Sequence, residues 1–110
     1  MGGGRYFTLG VSVAVALLLC IIGITQWRSI HPVTFYSGEE PPKDEEITDI
    51  RAYNRKHGLM WITVGLLIVL GWFLADLAQN GIIWMVMLIA PLLGMPLYHS
   101  HLDTKYRKRP

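Results

Sequence analysis

The sequence predicts an all-α membrane protein: three transmembrane helices plus a short amphipathic juxtamembrane helix. Three apolar stretches, at about residues 7–25, 59–77 and 82–98, stand between polar breaks. Charged residues make up 16% of the 110, against a soluble norm of about 25%, and they gather in the first loop and the tail. Lys and Arg are also unevenly shared, nine of the ten falling in residues 26–58 and 99–110. The chain is expected to form one membrane domain, with lipid as its first partner.

The middle stretch, LMWITVGLLIVLGWFLADL, carries no charge before Asp76. At about 1.5 Å per residue its helix spans roughly 28 Å, the thickness of a hydrocarbon layer. Trp61 and Trp72 lie near its ends. The first stretch, from Phe7 to Thr25, is too long for a signal-peptide core of about 7–15 residues and lacks a small-x-small cleavage site, so a retained span is expected. Ser12, Ala16, Cys20 and Gly23 fall on one stripe of it, a helix-packing face where another helix can approach closely. Cys20 on that face reads as an inert small hydrophobe.

The loop from 26 to 58 opens with aromatic and proline residues, where Pro32, Gly38, Pro41 and Pro42 argue against regular structure. A helix is expected over about 45–57, with Asp44 as N-cap and Glu45 and Glu46 at the positive end of the dipole. Ile47, Ile50, Tyr53 and His57 fall on one side of it, Thr48, Asp49, Arg55 and Lys56 on the other, so it would lie on the membrane and bend at Gly58 into the span. Asn80-Gly81 is the turn signal before the third span, which contains Pro91 and Pro96. The tail, 99–110, is basic.

The nine-to-one bias places loop and tail in the cytoplasm and the N-terminus outside. A net charge of +2 gives no reason to expect nucleic acid as a partner. No G-x-S-x-G, H-E-x-x-H or phosphate loop is present, and the spans place only Ser12 and Thr63 among polar side chains at depth, so no catalysis and no cofactor are expected. Asp76 is the sole acidic residue at a span edge. It is expected to be interfacial, which leaves a transport reading without a mid-membrane proton carrier. His99 and His101, two residues apart, do not share a helix face, and no metal is expected.

The segments Trp27-Arg28-Ser29-Ile30-His31-Pro32, Phe35-Tyr36-Ser37-Gly38, Ile47-Thr48-Asp49-Ile50, Tyr53-Asn54 and Gly58-Leu59-Met60-Trp61 resemble a group of small uncharacterised bacterial integral membrane proteins. The Tyr-Asn step is also distantly similar to the membrane part of SdpI-type immunity proteins. The resemblance implies a bacterial plasma-membrane address and a non-enzymatic role. It makes the first loop the functional surface, with Phe35, Tyr36, Gly38, Asp49, Tyr53, Asn54 and Trp61 as interaction candidates. The expected function is that of an accessory protein binding another membrane protein or a second copy of itself through this loop. The alternatives are protection against a membrane-active peptide and a role as a small transporter component.

Overall fold

The structure, a computed structural model, describes residues 2–33 and 42–107. Three helices make up the bundle: α1 (Gly2–Trp27), α2 (Ile50–Ala78) and α3 (Gly81–Tyr106). All three are long and apolar enough to cross a membrane. The molecule is elongated, 56 × 22 × 20 Å. The central helix, α2, packs against both neighbours. Large apolar side chains, among them Phe7, Leu17, Leu66, Leu77, Leu93 and Leu97, point outward on all three helices, as a lipid-facing surface requires.

The interior is narrow. Leu19, Met60, Val64, Ile68 and Met95 form its apolar centre, with Val15, Trp61 and Leu88 against it. On α1 the buried positions are Ser12, Ala16, Leu19 and Gly23, so Leu19 occupies the place expected of Cys20, which is half-buried. Gly23 faces Gly58. A methyl group at Gly23 would lie 2.5 Å from the Gly58 carbonyl oxygen, and one at Gly58 would strike the Gly23 oxygen. Here glycine serves close helix approach. Gly58 lies inside an unbroken α2, where it makes this close contact with α1.

The expected amphipathic helix over 45–57 is not a separate element. Asp44–Glu46 form a single 3-10 turn, and α2 starts at Ile50 and runs on into the span. The cause lies in the backbone between them. Ile47 pairs with Arg107 in an isolated antiparallel bridge, and the Thr48 amide donates to the Tyr106 carbonyl at 2.7 Å. Held extended there, the chain turns helical only after Asp49, whose side chain accepts from the Ala52 amide at 3.1 Å. Asp49, and not Asp44, is the N-cap.

The third helix also outruns its apolar stretch, reaching Tyr106 because residues 97–106 contain no glycine or proline and because Leu102, 1% exposed, finds a core of its own. Between α2 and α3 the left-handed residue is Gln79 (φ 52°), not the Asn80-Gly81 pair. The Gln79 and Asn80 amides close α2 on the Asp76 and Ala75 carbonyls in the Schellman pattern. Asn80 then caps α3 by accepting from the Ile82 amide.

Candidate functional site

The end of α1, the start of α2 and the end of α3 meet at one end of the bundle, and there the first loop and the tail form a single cap. Its apolar seed is Ile47, Tyr53 and Leu102, with Val33, Ile50 and Tyr106 against them. Four groups of polar contacts assemble around this seed.

After α1 the chain turns on Ser29, whose hydroxyl donates to the His31 carbonyl at 2.9 Å. The turn leaves backbone groups that need partners. Asn54, fully buried one turn into α2, supplies them. Its amide nitrogen donates to the Ser29 and His31 carbonyls at 3.1 and 2.8 Å, and its oxygen accepts from the Val33 amide at 3.1 Å. One side chain thus docks the loop on the helix with all of these bonds satisfied.

His57, one turn further and also fully buried, links α2 to α3. Its Nδ1 lies 2.8 Å from the Tyr53 carbonyl oxygen and its Nε2 lies 2.8 Å from His99 Nδ1. A carbonyl only accepts, so Nδ1 of His57 carries a proton. In the neutral ring Nε2 is then an acceptor, and His99 Nδ1 must donate. The Tyr53 ring packs on His57 at 4.3 Å, and Tyr106 closes over Tyr53 edge-on at 6.1 Å.

Arg107 joins tail to loop. Its guanidinium donates to Asp103, one turn back on α3, at 3.0 and 3.1 Å, and to Glu46 of the loop at 2.8 Å. The Asp103 hydrogen bond holds the Arg107 pKa above its ordinary value; desolvation, the next largest effect, opposes it, and the charges of Asp103 and Glu46 add smaller upward shifts. A raised pKa means that the contribution is complete below the unfolded-state value and fades only as pH rises through the folded one, so titration of Arg107 leaves the cap intact at neutral pH. At the rim of the cap, His31 Nδ1 meets the Asp44 carboxylate at 3.0 Å.

At the opposite end Arg5 pairs with Asp76 at 2.6 Å. The two line a cavity of about 610 Å³ with Thr8, Trp72, Gln79 and Trp84. The Trp72 indole N–H donates to the Thr8 hydroxyl and that of Trp84 to the Ser12 hydroxyl, each at 3.1 Å.

The seven interaction candidates read from the sequence therefore divide. Phe35, Tyr36 and Gly38 lie outside the described residues. Asp49 is exposed and caps α2, and Trp61 is half-buried beside the apolar centre. Tyr53 and Asn54 are buried, which suits them to hold the cap together and not to touch a partner. Sequence reasoning missed His57 with His99, which are 42 residues apart, and Glu46 with Arg107, which are 61 apart. The one available signal was the expected placement of loop and tail on the same side. His101 is exposed beside Tyr98, and among the described residues no group of three or more His, Cys, Asp or Glu side chains is placed to hold a metal. Comparison of the chain with family models, with curated proteins and with solved structures finds no match in any of the three.

Proposed function

We propose that the protein is a non-catalytic, multi-pass protein of the bacterial cytoplasmic membrane, N-terminus outside and C-terminus inside, that engages another membrane protein through its cytoplasmic cap. The observation that carries this reading is that the cap is a folded unit. Asn54, His57 and Arg107 are occupied in joining loop, α2 and tail. The side chains left outward are charges of both signs: Lys43, Glu45, Asp49, Arg55 and Lys105. A rigid platform with mixed charges at the membrane border suits recognition of a partner surface, where complementary charge sets specificity.

Photo-crosslinking in native membranes tests it. A crosslinker at Arg55 is expected to capture a discrete partner that a crosslinker at Leu77, at the far end, does not. Removal of residues 35–46 is expected to abolish that capture. If both positions recover the same proteins, or if capture survives removal of the loop, the cap is not the interaction surface.

A further inference from the structure

Beside the cap, between the end of α1 and the start of α2, lies a cleft of about 690 Å³ lined by Trp27, Arg28, Ser29, Ile30, Ile50 and Arg51. Both arginines are exposed, and neither guanidinium has a carboxylate partner among the described residues. Among the described residues, none that lines the cleft is acidic. Two like charges brought to one cleft from the turn after α1 and the first turn of α2 repel, and an anion between them reverses the sign of that interaction. Two other arginines, by contrast, have carboxylates of their own. Arg5 carries its own carboxylate in Asp76, and Arg107 carries two, Asp103 and Glu46.

The remaining walls identify the kind of anion. Trp27 and Ile30 are 43% and 79% exposed, and Ile24, one turn earlier on α1, is 49% exposed, so an apolar strip leads from the cleft toward the middle of the helix. The first turn of α2 favours a negative charge, a preference that the Asp49 cap on the Ala52 amide already meets in part, and the last turn of α1 opposes it. The Ser29 hydroxyl is committed to the His31 carbonyl and shapes the wall.

We infer that this cleft binds the phosphodiester headgroup of an anionic glycerophospholipid. The guanidinium forks of Arg28 and Arg51 take the phosphate oxygens, and the acyl chains run along Trp27 and Ile24. The site differs from the diffuse attraction that any basic tail has for an anionic leaflet, because it is one lipid held at one place. It rests on the membrane placement of the cap and is independent of whether the cap binds a protein.

The test is native mass spectrometry of the full-length protein in detergent, titrated with phosphatidylglycerol or phosphatidylcholine. One phosphatidylglycerol is expected to be retained in preference to phosphatidylcholine. Arg28→Gln with Arg51→Gln is expected to weaken it at least about tenfold, while the charge-matched pair Arg55→Gln with Lys105→Gln changes it less than about twofold. Arg28→Lys with Arg51→Lys keeps the charge but loses the fork, and is expected to weaken binding about threefold. This pair decides the matter if the glutamine pair loses helicity. Equal loss in the Arg28/Arg51 and Arg55/Lys105 glutamine pairs would show diffuse attraction and overturn the site, as would no loss in either. Displacement of the lipid by millimolar glycerol phosphate would make the ligand a soluble phosphate and overturn the lipid assignment.

Discussion

At one end of the bundle Asn54, His57 and Arg107 bind loop, helix and tail into a closed cap, whereas at the other Arg5 and Asp76 face an open cavity and are held by each other. The difference follows from the connections. Between α2 and α3 only Gln79 and Asn80 are non-helical, and each satisfies its own neighbours through local capping bonds. Between α1 and α2 a long segment must be returned to the bundle with its backbone groups paired, and local bonds do not suffice. Buried side chains on α2 and α3 therefore reach out to it. A short connection leaves an end free to be a cavity; a long one is an opportunity to build a platform.

The sharpest way to break the comparison is to separate the helices on which the cap stands. Gly58→Val drives a branched side chain into the Gly23 backbone, and neither backbone can yield without parting α1 from α2. A loss of about 3 kcal/mol is expected in detergent unfolding. Gly10→Ala is the control, since nothing lies within 4 Å of a methyl group there, and it should be neutral or slightly stabilising.

Next in size is the loop clamp. Asn54→Ala removes the partners of the Ser29 and His31 carbonyls and the Val33 amide. With each buried orphan worth about 1–3 kcal/mol, and these sites only partly buried, a loss near 2 kcal/mol is expected. It should appear as faster amide exchange at Val33 and at Thr48, while exchange in the α2–α3 connection is unchanged.

The smallest effect belongs to the open end. Arg5 and Asp76 are 51% and 29% exposed in their side chains, so Asp76→Asn should cost under about 1 kcal/mol, with the difference shrinking further in high salt. It should leave the cap's exchange pattern untouched. A loss as large as that of Asn54→Ala would mean that the two ends are not built differently.

The sequence made the spans legible because apolar runs of 17–19 residues have few other ways to be satisfied, and it placed loop and tail together through the arginine and lysine bias. Helix ends were less legible. The polar first turns of α2 and the last turns of α3 extend past the apolar stretches, and hydropathy has no contrast there. The N-cap moved from Asp44 to Asp49 because a bridge to Arg107, distant in sequence, holds Ile47 extended. The His57–His99 contact depends on two helices meeting at one height, which no local pattern encodes.

The central claim, that loop and tail close into one cap, is open to a direct measurement. Ile47 and Arg107 face each other as an antiparallel pair, and such pairs bring Cα atoms to about 4.5–5.5 Å, within disulfide reach. In a Cys20→Ser background, the Ile47→Cys/Arg107→Cys protein should form an intramolecular disulfide in native membranes under mild oxidation, and adding Asn54→Ala should slow it several-fold. If the two thiols stay reduced, or join only between chains, the loop and the tail do not form the cap.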